Sequence, residues 1–187
     1  MANVAIALIA AISLLVSYFA ADYAKKMYEL QIESNRPYLE LGEAKLEDIN
    51  KSPIFMLSFE FKNLGKRPAY GLTEEILVID KKFMINERKS HSFSSDFGPD
   101  QKYRSIIDIE FISGNIDNIF IIFLLKYRDK FYRNKTCKQI FYLKWDNETM
   151  LKPTMGFYHM MAEEQQKIMK MNNIRHLIEE YSQDKCL

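Results

Sequence analysis

The sequence predicts a mainly-β protein, a β-sandwich preceded by a transmembrane helix and followed by an amphipathic helix. Three observations predict it. The stretch Val4 to Ala21, VAIALIAAISLLVSYFAA, runs for 18 residues without a charge, a proline or a glycine. From Pro37 to Asp146 apolar side chains recur with the period of strands, and no helical stretch interrupts them. From Pro153 to Tyr181 the spacing returns to that of a helix. The expected boundaries are 1–34 for the transmembrane helix and stalk (span 4–21), 35–150 for the sandwich, and 151–187 for the amphipathic helix and tail.

The chain has 187 residues, enough for one domain and an appendage. Lys and Arg number 26 against 25 Asp and Glu, a formal net charge of +1. That balance argues against nucleic acid as a partner, since wholesale phosphate binding needs a basic excess. Apolar residues at 48% and charged ones at 27% exclude general disorder. Thirteen Phe and eleven Tyr favour strands.

Taken in order, the opening run would be about 27 Å long as a helix, close to a hydrocarbon core of about 30 Å. Tyr18 and Phe19 stand at its end, where aromatic rings prefer the interface, and Asp22, Lys25 and Lys26 stop it. MAN lacks the basic side chain of a signal peptide. Basic residues flank only the C-terminal side (Lys25, Lys26, Arg36), so the positive-inside rule puts the bulk of the chain in the cytoplasm, with the anchor in the cell membrane. The helix is expected to continue to residue 33 and to stop before Pro37. Ala24, Met27 and Leu30 recur on this stalk at helical spacing, either as a seam between protomers or as packing on the chain's own domain.

Strands are expected at 38–46, 55–61, 70–78, 103–112, 116–127 and 136–145, with short ones near 83–85 and 90–93. Phe55, Leu57, Phe59 and Phe61 alternate with Met56, Ser58, Glu60 and Lys62, one buried face and one wetter one. Gly98-Pro99-Asp100 is a turn, and Arg128-Asp129-Lys130 is expected at a hairpin tip. Six to eight strands without an intervening helix read as a sandwich. In the corner Asn63-Leu64-Gly65-Lys66-Arg67-Pro68-Ala69, the Asn63 amide can hold the turn, Gly65 permits a positive φ, and Pro68 starts a new strand.

That corner, with Phe61 and Lys62 before it, resembles the "NxGxxPA" strand-loop-strand corner of immunoglobulin-like sandwiches of the CARDB type. Phe97 to Gln101 is similar to the turn before a long core strand in that group. Tyr127-Arg128-Asp129-Lys130-Phe131-Tyr132 resembles its "Y-x-D-x-x-x-Y" hairpin. The likeness covers roughly residues 37 to 146. The opening run followed by Arg36-Pro37-Tyr38-Leu39 resembles uncharacterised prokaryotic single-pass membrane proteins. The resemblance implies an immunoglobulin-like β-sandwich and names no activity. The turn has Pro before Asp rather than Pro-Gly, and the hairpin lacks the group's usual Gly. The group typically lies outside the cell, against the charge rule.

No catalytic motif is present. His91, His159 and His176 lack metal-ligand spacing, and neither a phosphate loop nor a dinucleotide fingerprint occurs, so the chain is expected to be no enzyme and to hold no cofactor or metal. Cys137, in a strand, is expected as a buried inert thiol, and two cysteines without an obvious partner fit a reducing compartment. Two features could make contacts. Lys126, Arg128, Lys130, Arg133 and Lys135, interleaved with aromatics, could meet anionic lipid headgroups or nucleic acid, or simply protect a sheet edge. Met161, Met171, Ile174 and Ile178 belong to a stripe on the C-terminal helix that could bind a partner or pack on the sandwich. The expected role is therefore a membrane-anchored, non-enzymatic interaction or sensing module that recruits a protein partner or self-assembles. The alternative is a membrane-perturbing oligomeric effector of a prokaryotic defence or toxin system, built by close approach of Ala7, Ala10, Ala11, Ser13 and Ser17.

Overall fold

The computed structural model describes residues 2–48, 54–110, 119–131, 135–145 and 157–183, with the side chains of all but 2–9, 48, 135, 157–158, 172–173 and 182–183. Two units make up the chain, Met1–Arg36 and Pro37–Leu187.

The first unit is a helix, α1 (Ala2–Ser34). Its last turn tightens before Pro37: the Asn35 N–H donates to the Ile32 carbonyl (3.3 Å) and the Arg36 N–H to that of Glu33 (3.2 Å). The transmembrane helix expected over 4–21 is corrected. Among the described residues no helix is long and apolar enough to cross a membrane. At the end of the uncharged run, Asp22 and Lys26 form an ion pair of 2.7 Å on the helix surface. The single-pass membrane reading, and the likeness to single-pass carriers, lose their basis with the span.

In the second unit the strands are β1 (Leu39–Asp48), β2 (Ile54–Asn63), β3 (Tyr70–Ile79), β4 (Ile85–Ser92), β5 (Lys102–Glu110), β6 (Ile119–Asp129), β7 (Lys135–Trp145) and β8 (Phe157–His159). Two helices follow, α2 (Ala162–Met169) and α3 (Asn172–Gln183). The strands form two antiparallel sheets, β1-β2-β5 and β4-β3-β6-β7-β8. Phe55, Leu57, Phe59 and Phe61 of β2 point inward as their alternation requires, and meet Leu72, Ile76 and Val78 of β3 and Ile121, Phe123 and Leu125 of β6 in one core. The Phe59 and Phe61 rings lie 4.7 and 5.7 Å from that of Phe123, at tilted and edge-on angles that suit aromatic quadrupoles. The molecule is thus a β-sandwich.

β6 reads IFIIFLL where an ordinary sandwich strand would alternate, and both of its faces are buried. Its other side, Phe120, Ile122 and Leu124, joins Leu77 and Ile79 of β3 and Ile168, Ile174, Ile178 and Tyr181 of α2 and α3 in a second core. The C-terminal helices therefore cover the outer face of the larger sheet. The one helix expected there is two, broken at Lys170-Met171 ahead of Asn172-Asn173, residues of poor helix propensity. At the head of α2 the Met161 N–H donates to Glu164 Oε2 (3.0 Å), which occupies one otherwise orphaned donor.

Both sides of the sandwich are closed by side chains that stand in for a missing strand. Gln139 of β7 accepts from the Leu39 N–H and donates to the Leu39 carbonyl, each at 3.0 Å, so the edge of β1 is paired at its first residue. At the opposite side Glu87 accepts the Glu110 N–H (3.2 Å), and Lys89 donates to the Asp108 carbonyl. The corner is held by Asn63, which is fully buried. Its Nδ2 donates to the carbonyls of Arg67 and Phe97 (both 2.9 Å), and its Oδ1 accepts from Gly65 (2.9 Å) and Tyr38 (3.3 Å). All four hydrogen-bonding positions of the amide are used. The positive φ expected at Gly65 is corrected. Among the described residues the glycine in the left-handed region is Gly71 (+56°), and Asp100 takes φ +57° in the Gly98 turn.

Candidate functional site

All but one of the expected contact residues lie among the described residues. Lys126 and Arg128 sit at exposed positions of β6, and the Arg128 guanidinium lies over Gly71, where a Cβ would meet its Nη2 at 3.2 Å. Lys130 follows β6 in the turn, with its Nζ 3.9 Å above the Tyr70 ring. Arg133 lies outside the described residues, and Lys135 opens β7 with its side chain outside the described set. Asp129, expected at the tip, is instead buried at the end of β6. It accepts from the Phe131 N–H (3.0 Å), and its Oδ2 lies 3.1 Å from Arg67. β6 thus runs as far as Asp129, and the turn begins at Lys130.

On the helices, Met161 is exposed, Met171 is half-buried, and Ile174 and Ile178 are buried in the second core. Their stripe is occupied by the chain's own sheet. Two ion pairs help hold the cover in place. Lys138 donates to the Glu180 carbonyl (2.9 Å) and lies 3.4 Å from its carboxylate, and Lys144 meets Glu164 at 3.1 Å. Cys137 is disulfide-bonded, so the inert free thiol expected there is corrected.

The outer face of the smaller sheet has no such cover in its own unit among the described residues. There lies a cleft of about 260 Å³ lined by Glu43, Lys45, Ser58, Phe59, Glu60, Lys102 and Arg104. Its shape follows from register. Lys45 stands opposite Ser58, and Glu60 opposite Arg104, while the pairing of β1 and β2 slips between Leu41 and Ala44. The slip is a bulge at Gly42-Glu43, a feature that bends a strand and re-aims side chains. Lys102 takes the Glu60 carboxylate at 2.8 Å, and this bond and charge hold the Lys102 pKa above its ordinary value. Lys45 pairs with Glu43 at 3.0 Å. Arg104, though opposite Glu60, makes no ion pair, and the Ser58 side chain makes no hydrogen bond among the described residues. Ser58 is nevertheless buried, roofed by its long neighbours.

A second unusual group lies inside. Glu74 of β3 shares the inward parity of Leu72 and Ile76, is 1% exposed, and has no hydrogen-bond partner on either carboxyl oxygen. Burial pushes its pKa up to about 8. It is sealed from solvent, which makes it a feature of stability more than of binding.

The cleft went unread in the sequence because its residues come from three strands, and only the register joins them. One signal was legible. Inward positions run Leu39, Leu41 and then Ala44, Leu46, a change of parity that marks a bulge in β1.

The fold and cleft define a two-sheet β-sandwich, capped by helices on one side, with a charged cleft on the other. The chain belongs to the family described as "Domain of unknown function (DUF8453)", whose model matches residues 1–149. No curated protein matches it. Among solved structures it is similar to a crystal structure provisionally assigned as an ApaA protein of Bordetella pertussis, at 8% identity over 57% of this chain and 89% of that one, TM-score 0.46. An X-ray structure of a structural-genomics target is 12% identical over 68% of this chain and 98% of that one, TM-score 0.48. A CARDB domain from Pyrococcus furiosus, crystallised with di-metal ions, is 12% identical over 56% of this chain and 85% of that one, TM-score 0.35.

Proposed function

We propose that the sandwich is a non-enzymatic interaction module that recruits a protein partner through the outer face of β1-β2-β5, which the described residues of its own unit leave without a helical cover. The observation that carries this is the contrast in cover: the larger sheet is shielded by α2 and α3, and the smaller one presents its outward side chains to solvent around a formed cleft. The face mixes signs, with Glu40, Lys45, Glu47, Glu60, Lys62 and Arg104 at outward positions beside the apolar Ile106 and Met56. Mixed charge around apolar side chains suits a protein surface better than a polyanion. The corner built on Asn63 supports an immunoglobulin-like sandwich of CARDB type as the finer description of the fold. The disulfide at Cys137 fits an oxidising compartment better than the cytoplasmic placement that charge alone suggests.

The test is a photo-crosslinking residue placed at Ile106, compared with one at Met161 on the helical cover, in cells that make the full chain. Both positions are exposed. A discrete adduct from Ile106, absent from Met161, is expected. Adducts from Met161 alone, or from neither position, would refute the proposed face.

A further inference from the structure

We infer that the cleft on β1-β2-β5 is a carboxylate pocket, which takes the side chain of an acidic residue, or a terminal carboxylate, from the partner. The inference rests on the reading of this face as the docking surface. Three observations converge on an anion of single charge. The lining carries three cations, Lys45, Lys102 and Arg104, against two carboxylates, Glu43 and Glu60, so one positive charge is left uncompensated. That charge belongs to one residue: Glu60 is engaged by Lys102 and Glu43 by Lys45, which leaves the Arg104 guanidinium, a planar fork suited to two parallel N–H···O bonds, without an acid. The Ser58 hydroxyl lines the same cavity and makes no hydrogen bond among the described residues, so it can donate to an arriving oxygen atom.

The two acids in the lining select the ligand. A dianionic phosphate would be repelled by Glu43 and Glu60, and a carboxylate brings one charge to meet one. The bulge at Gly42-Glu43 turns β1 aside next to Glu60.

The experiment is an amide NMR titration of the isotope-labelled full chain with sodium propionate, a monocarboxylate, with sodium phosphate and, as a salt control, with sodium chloride at matched ionic strength. Propionate is expected to move the amides of residues 43–45, 58–60 and 102–104 saturably in the millimolar range, with phosphate at least tenfold weaker. Arg104→Ala is expected to weaken propionate at least tenfold and Ser58→Ala severalfold, with the rest of each spectrum unchanged as the check on folding. Absence of saturable shifts, equal response to phosphate, or undiminished binding by Arg104→Ala would overturn the inference. If the Ile106 adduct forms but propionate does not bind, the pocket fails and the docking face stands. If propionate binds but Ile106 yields no adduct, the docking reading fails instead.

Discussion

The two outer faces of the sandwich had the same starting problem and solved it differently. On the five-stranded sheet the outward side chains include Leu77 and Ile79 of β3, Phe120, Ile122 and Leu124 of β6 and Ile140 and Tyr142 of β7, and two helices pack over them. On the three-stranded sheet the outward positions of β1, β2 and β5 are mostly charged, and ion pairs such as Lys102–Glu60 stand in the place of a cover. Apolar burial is worth about 25 cal/mol per Å², whereas an exposed ion pair contributes at most about 1 kcal/mol. The first face therefore supplies stability. The second is nearly free of structural duty, and can carry a cleft whose Arg104 and Ser58 do nothing for the fold.

The largest test of that division is a charge placed on each face. Ile178→Asp buries a carboxylate in the second core and is expected to cost about 5 kcal/mol or more, enough to detach α3 or unfold the domain. Ile106→Asp, at a position 55% exposed, is expected to stay within about 0.5 kcal/mol. Urea unfolding of both variants measures this, and equal losses would break the comparison.

A somewhat smaller effect belongs to Glu74, between the faces. Its folded pKa is about 8 against an ordinary 4.5. Below about pH 4.5 both folded and unfolded chains hold the proton. As pH rises from 4.5 to 8 the unfolded chain ionises first, so stability falls, and above 8 the whole cost is present. That cost is on the order of 3–5 kcal/mol. Glu74→Leu is expected to flatten the fall in stability between pH 5 and pH 9, as read from urea midpoints. An unchanged slope would show that the carboxyl does not stay neutral in the folded core.

The smallest expected effect concerns the clamp on the cover. Lys144 and Glu164 lie 3.1 Å apart and are mostly shielded from solvent. Lys144→Met is expected to cost about 1 kcal/mol or less in global stability. It should still speed hydrogen exchange in α2 more than in β6, because the pair ties the first turn of α2 to β7. Uniform acceleration would mean that cover and sheet open together.

Much of the fold was legible. The alternation in β2 placed Phe55 to Phe61 on one face, and Asn63 was recognisable as the residue holding the corner, because turn chemistry is local. The cover was only half legible: the stripe Ile168, Ile174, Ile178 and the unbroken run in β6 are complementary, but neither names the other. The opening run misled. Counted as letters it matched a bilayer, and among described residues no helix does. The site was illegible, since Lys45, Ser58 and Arg104 lie 13 to 59 positions apart and become neighbours only through strand pairing.

By itself the sequence determined the periods: strands where apolar side chains alternate, helices where they recur every third or fourth residue, and a corner where Asn63, Gly65 and Pro68 cluster. Those choices rest on backbone geometry, which each segment carries alone. Tertiary structure decided which sheet the C-terminal helices cover, which carboxyl is stranded inside, and which of the three cleft cations has no acid beside it among the described residues. Each of these is a relation between segments, and it exists only once register and packing have brought distant side chains within a few ångströms.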